Sequence, residues 1–204
     1  MNRCPSKVHL YSVIQKGLDV KRDKERIYDE FLVAAAITGD RPSLLRLVAR
    51  WQPRLWRHAW RVLGNPDRAK DVVQEAWIDI LKGLVRLNDV TAFPAWAYRI
   101  VTRRCQREFR GPGRTTVVSE NESFAHDVEA PESASEEIAA DVSVVLAAIG
   151  RLPAQQRAAM ALFYLDELSV AEIAIATDVP PGTVKTRLMH ARRTVRAILQ
   201  GDPS

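Results

Sequence analysis

Apolar side chains recur along this chain every three or four positions, and no segment shows the strict alternation of a half-buried strand. Leu44, Leu47, Val48, Trp51, Leu55, Ala59, Val62 and Leu63 form one stripe, with Pro53 inside it as a candidate bend. Asn65-Pro66-Asp67 reads as N-cap, first-position proline and first-turn acid. The helix it opens carries Val72, Val73, Ala76, Trp77, Ile80, Leu81 and Leu84 on one face. A third helix is predicted from about Thr91 to Arg110, with Phe93, Trp96, Ala97, Ile100 and Val101 inward. Further helices are predicted near 138–150, 153–164, 169–177 and 181–199. The fold class is therefore all-α, and no internal repeat is visible.

The last two of these elements form a helix-turn-helix pattern. Ser169-Val170-Ala171-Glu172 matches the S-x-x-E capping box, and Leu165, Ile173 and Ala174 supply the apolar side of a short helix. Asp178 falls at the turn, where the backbone must visit the left-handed region; Asp tolerates that, and Gly does so better. Pro180-Pro181-Gly182-Thr183 breaks and restarts the chain. At 100° per residue, Val184, Leu188, Ala191 and Val195 fall on one stripe of the final helix. Thr183, Lys185, Thr186, Arg187, His190 and Arg193 fall on the remaining surface. Hydroxyls, an imidazole and cations on a second helix suit phosphates and guanine edges in a major groove. A plain solvated basic helix would show the same periodicity.

Charge divides the chain. Residues 1–40 carry a net +1, 41–110 a net +9, 111–150 a net −7 and 151–204 a net +2. Gly111-Pro112-Gly113 ends the first block, and 114–137 are rich in Ser, Glu, Thr and Ala, too polar to fold alone. Two small helical domains, 30–110 and 138–200, are thus expected on either side of a flexible acidic linker, 111–137. A mobile extension is expected over 1–29. Fully extended, a linker of that length reaches roughly 90 Å at ~3.3 Å per residue, enough to hold the domains on separate DNA sites. The overall pI of 9.5 permits nucleic acid as a partner without requiring it.

Several classes are excluded. Cys4 and Cys105 cannot build a disulfide framework, and no metal-binding Cys/His spacing occurs. The longest apolar run, Phe31–Thr38, is far short of the ~20 residues of a membrane span, and no signal peptide is visible. A cytoplasmic protein without cofactors is expected. Phosphate-cradling glycine motifs and H-E-x-x-H are absent, and the four histidines are scattered. The chain does not read as an enzyme.

Two features of the first domain stand out. Opposite the apolar stripe of the Thr91–Arg110 helix lie Tyr98, Arg99, Thr102, Arg103, Gln106 and Arg110. An aromatic ring among cations suits melted DNA, where bases stack and phosphates pair. Phe93 and Trp96 read as core. On the preceding helix, Ile78 sits within a polar face that also holds Asp71 and Gln74, as an apolar partner contact would.

These residues resemble a known family. Asp71-Val72-Val73-Gln74-Glu75-Ala76-Trp77, then Phe93-Pro94-Ala95-Trp96-Ala97-Tyr98-Arg99-Ile100, resembles region 2 of bacterial sigma factors. Leu152-Pro153-Ala154-Gln155-Gln156-Arg157, Leu168-Ser169-Val170-Ala171-Glu172-Ile173-Ala174 and Val179-Pro180-Pro181-Gly182-Thr183-Val184-Lys185-Thr186-Arg187-Leu188 resemble region 4. With no region 3 domain between them, the pair looks like the extracytoplasmic-function (ECF) group of the sigma-70 family. The resemblance implies that Asp71, Gln74, Glu75 and Ile78 bind the clamp helices of the β′ subunit of core RNA polymerase, with the β flap as a further contact. It implies that the Phe93–Arg110 helix recognises and opens the −10 element and that the Thr183–Arg193 helix reads the −35 element. It also implies an anti-sigma factor as partner. Where many relatives carry Asn and then Asp in the −10 helix, this chain has Arg103 and Arg107, and Asp178 replaces the usual turn Gly. Two alternatives remain at this stage. A decoy that sequesters an anti-sigma factor would be expected to lack Lys185, Arg187 and Arg193; a stand-alone helix-turn-helix regulator leaves the first domain unexplained.

Overall fold

A computed structural model describes residues 24–110, 144 and 147–200, and among these every regular element is helical. Helix α1 covers 24–37. Asp40 starts α2 (Arg41–Leu63): its carboxylate accepts the Ser43 N–H at 2.9 Å, and the helix stops at Gly64, whose φ of 69° is a left-handed cap. The helix runs through Pro53 without interruption. Asn65 caps α3 (Pro66–Leu84) by accepting the Arg68 N–H at 2.9 Å, with Pro66 at the first position as the sequence predicts. Asp89 caps a short 3₁₀ turn, Val90–Ala92, that leads into α4 (Phe93–Arg110). Then come α5, described over 147–150, α6 (Ala154–Tyr164), α7 (Val170–Thr177) and α8 (Pro181–Gln200).

The mobile extension expected over 1–29 overlaps the start of α1. Residues 24–29 are helical, Asp29 is buried, and it pairs with Arg50 and Arg54 of α2. A buried carboxylate held by two guanidiniums anchors this turn, a pairing that no short-range pattern announces. Residues 1–23 and the linker expected over 111–137 lie outside the described residues.

Trp51 sits at the centre of the first four helices. Phe93 meets it edge-on at 5.1 Å between ring centroids and Tyr98 at 5.7 Å, a geometry worth about 0.5–1.5 kcal/mol per pair beyond area burial. Leu47, Leu55, Ile80 and Val101 complete the filling. Leu81, expected inward, is instead 43% exposed. Gly83 lets α3 and α4 approach closely, because a Cβ there would come within 2.7 Å of the Trp96 ring. Gly83→Ala is therefore expected to lower stability by about 1–2 kcal/mol through overpacking, although Ala is the better helix former. Chemical denaturation of the two proteins checks this; an unchanged or higher midpoint would show that Trp96 yields freely.

The second set of helices does not stand apart from the first. Helix α4 packs along α7, α2 packs on α6, and buried apolar residues run continuously between the sets. Arg157 of α6 fastens this seam. It is buried, and its guanidinium donates to the Arg61 carbonyl at the end of α2 at 2.9 Å and to the Gly150 carbonyl at 3.0 Å. Burial lowers its pKa to about 10, which still leaves it charged at neutral pH.

Candidate nucleic-acid interface

The capping box at α7 forms as the sequence predicts: the Glu172 N–H donates to Ser169 Oγ at 3.2 Å, and the Ser169 N–H donates back to the Glu172 carboxylate at 2.7 Å. Asp178 then turns the chain in the left-handed region, at φ 56° and ψ 45°. Val184, Leu188, Ala191 and Val195 are the buried residues of α8, the four that its period selects. Burying each Val or Leu of this set contributes roughly 1.5–3 kcal/mol, so the opposite face of α8 is held outward. Lys185, Thr186, His190 and Arg193 are exposed on it. Thr186 Oγ1 donates to the Gly182 carbonyl at 3.0 Å. Thr183 and Arg187 are half-buried, and Arg187 is hydrogen-bonded to Gln155 of α6. Burial lowers the pKa of Arg187. Arg187 thus faces the seam, whereas the other cations of the set face solvent.

On α4 the sequence-based picture needs correction. Tyr98, read as outward, is fully buried: its ring packs edge-on against Trp51 and His58, and its hydroxyl donates to Asp166 at 2.7 Å. Thr102 is also buried, with Oγ1 2.9 Å from His58 Nε2. Both lie on the face opposite the expected stripe, and that face is covered by Trp51 and His58 of α2 and by Asp166 from the loop before α7. Periodicity identifies which residues share a face, not whether a distant element covers it. Arg99 and Arg103 border the same contact and pair with Asp178, at 2.9 Å and 3.4 Å. Gln106 lines a cavity of about 290 Å³ along the seam, together with His58, Val62, Thr102, Val179 and Arg187. The side chain of Arg110 lies outside the described residues. Phe93 is buried and Trp96 half-buried, as their core assignment requires.

The α3 face is open. Asp71, Gln74, Glu75 and Ile78 are all exposed, Ile78 by 52%. Glu75 is tied to Arg104 of α4, which also bonds Asp79. Leu81 and Val85 extend the apolar line from Ile78 at helical spacing, at 43% and 66% exposure. Sequence reading missed this extension because it assigned Leu81 to the inner stripe.

Burial and a nearby Arg61 push the pKa of His58 down to about 3, so its imidazole is neutral near neutral pH. Burial raises the carboxyl of Asp166 above its usual range. Neither residue carried a local sequence signal. Among the described residues, no group of three or more His, Cys, Asp or Glu could hold a metal ion, and no helix is long and apolar enough to cross a membrane.

A helix-turn-helix with an exposed basic second helix, joined to a basic helical domain with an open apolar line, defines a DNA-binding transcription protein. Comparison with known proteins specifies which. The profile described as "Sigma-70 region 2" matches residues 47–115, and "Sigma-70, region 4" matches 143–195. The ECF RNA polymerase sigma-E factor of Escherichia coli K12 is 32% identical over 183 residues, covering 84% of this chain and 94% of that one. The RNA polymerase sigma-H factor of Pseudomonas aeruginosa is 30% identical over 184 residues, with the same coverage. The chain belongs to the sigma-70 family, in its ECF group. Two solved structures share the fold at 22% identity. One is CnrH in complex with the cytosolic domain of CnrY, with a TM-score of 0.57 over 86% of this chain and 99% of that one. The other is the sigma factor RpoE in complex with the anti-sigma factor NepR from Bartonella quintana, with a TM-score of 0.59 over 78% and 98%.

Proposed function

We propose that this sigma factor works through three separate surfaces. It is a promoter-recognising subunit of RNA polymerase, the role its family and the paired region 2 and region 4 matches define. The exposed face of α8 (Lys185, Thr186, His190 and Arg193, with Thr183 and Arg187 at its edge) reads the −35 element in the major groove. Arginines suit guanine edges, and lysine, hydroxyls and the helix start suit phosphates. Helix α4 acts at the −10 element, where Arg99 and Arg103 would pair with phosphates. Arg103 and Arg107 in place of a polar or acidic pair favour backbone contacts there over base readout. The α3 face with Asp71, Gln74, Glu75 and Ile78 docks on the β′ clamp helices, with the β flap as a further contact.

The observation that carries this reading is the division of labour in one chain: a cationic helix face held outward by a buried stripe, and an apolar line on another domain left open. The protein acts in the cytoplasm with the polymerase, performs no catalysis itself, and is held by an anti-sigma factor, a reading supported by RpoE being bound to the anti-sigma factor NepR and CnrH to the cytosolic domain of CnrY.

The test is transcription by purified protein and bacterial core polymerase on genomic fragments. Start sites sharing two upstream elements are expected. Polymerase binding without any start site would favour a decoy, and no polymerase binding would overturn the proposal. Ile78→Glu places a charge in the centre of the docking line. It is expected to weaken core binding by roughly ten- to a hundredfold, the range of an interface anchor worth about 1.4–3 kcal/mol. Ile78 is exposed, so the variant should unfold at the wild-type midpoint.

A further inference from the structure

We propose that Asp178 is an intramolecular latch: from the turn of the helix-turn-helix it occupies Arg99 and Arg103 of α4, and so holds the chain closed with its −10 helix masked. The proposal rests on the assignment of those arginines to promoter contact.

Asp178 stands in a left-handed conformation that Gly adopts without cost, so its side chain is not there for the turn. Its two carboxylate oxygens are divided between the two guanidiniums. Oδ1 accepts from Arg99 at 2.9 Å, and Oδ2 from Arg103 at 3.4 Å. One carboxylate spanning two arginines one helical turn apart presents them with the charge that a DNA phosphate would. The pairing lowers the pKa of Asp178, with the Arg99 hydrogen bond as the first cause, so the latch is charged at neutral pH.

Further contacts keep α4 under α7. The Tyr98 hydroxyl donates to Asp166 at 2.7 Å, and Arg26 of α1 pairs with Glu172 at the start of α7 at 2.9 Å. The closed seam therefore holds Arg99 and Arg103 against the turn after α7, and a phosphate meets them only in competition with Asp178.

Two properties make this contact one that opens. The Asp178 pairs are substantially solvent-exposed, and an exposed ion pair is worth at most about a fivefold bias, screened by salt and replaceable by a polyanion. Beside it the seam encloses a cavity of about 290 Å³ lined by residues of both halves, so the surfaces are not packed to interior density.

The test uses the full chain. Dyes on Ala49→Cys and Gln200→Cys, in a Cys4→Ser background, report the separation of the halves by single-molecule energy transfer. Cys105 is buried and its thiol is pushed up to about 12, which leaves it unlabelled. Asp178→Gly removes the carboxylate and relaxes the turn; Asp178→Asn removes only the charge and controls for the backbone. Both are expected to raise the open-to-closed ratio by roughly three- to tenfold. The affinity for a mixed-sequence single-stranded oligonucleotide should rise by a similar factor, since binding-competent molecules become more abundant. An unchanged ratio in both variants overturns the latch, whatever the DNA affinity does. A raised ratio with unchanged DNA affinity overturns the assignment of Arg99 and Arg103 to DNA and leaves the latch as a purely structural clasp.

Discussion

Promoter-directed transcription by a Lys185→Glu/Arg193→Glu protein is expected to fall by roughly a hundred- to a thousandfold, while its binding to core polymerase and its unfolding midpoint stay at wild-type values. Both side chains are exposed on α8, and neither belongs to its buried stripe of Val184, Leu188, Ala191 and Val195. Surface substitutions of that kind usually move stability by no more than about 0.5 kcal/mol. The cost falls on DNA: a side chain's interaction with a base edge or phosphate is worth about 1–3 kcal/mol, and every tenfold change corresponds to about 1.4 kcal/mol. The salt dependence distinguishes the roles. If a side chain pairs with a phosphate, its removal reduces the log–log slope of binding against salt by about one; if it reads a base, its removal changes preference at one promoter position. Run-off transcription across a salt series on a mapped promoter is the measurement. Equal activity of the two proteins would remove α8 from promoter recognition.

The second large effect concerns acid. His58 is fully buried, and desolvation, helped by Arg61, holds its pKa at about 3 in the folded protein. In the unfolded chain a histidine titrates near 6.5. Below that pH the unfolded state binds a proton that the folded state refuses, so stability is fully present above pH ~6.5 and declines as the pH falls toward 3. Between pH ~6.5 and ~4.5 the loss attributable to His58 should be roughly 2–3 kcal/mol. His58→Gln keeps an amide near Thr102 but cannot titrate, and it should lose that part of the slope. Asp166 acts in the opposite sense, because its raised pKa makes the folded state take up a proton first. It is common to both proteins, so the difference between them isolates His58. Urea denaturation at several pH values checks the prediction; parallel stability–pH curves would contradict it.

Much of the architecture is legible in the sequence. The 100° period picked the four buried residues of α8, and Ser169 and Glu172 announced the start of α7. Asn65 and Pro66 announce α3, and Ile78 stands on the polar face of its helix as an apolar residue left outside. These are local statements: a cap satisfies N–H groups within three residues of itself, and a stripe is defined by the geometry of its own helix. The sequence by itself therefore determined the helices, the buried stripe of α8, the helix-turn-helix and the family.

Only the tertiary structure decided what happens to the outer face of α4. Tyr98 and Thr102 have the spacing of surface residues, yet Trp51 and His58 of α2 pack over them, and Asp166, 68 positions later, receives the Tyr98 hydroxyl. Arg99 and Arg103 meet Asp178 across 79 and 75 positions. Arg157 reaches back 96 positions to the Arg61 carbonyl, and His58 settles against Thr102, 44 positions away. No window of adjacent residues contains both members of such a pair, and a helical period is indifferent to what lies beyond its own surface. Whether a polar face meets solvent, DNA or another helix of the same chain is set by which faces pack when the whole chain folds.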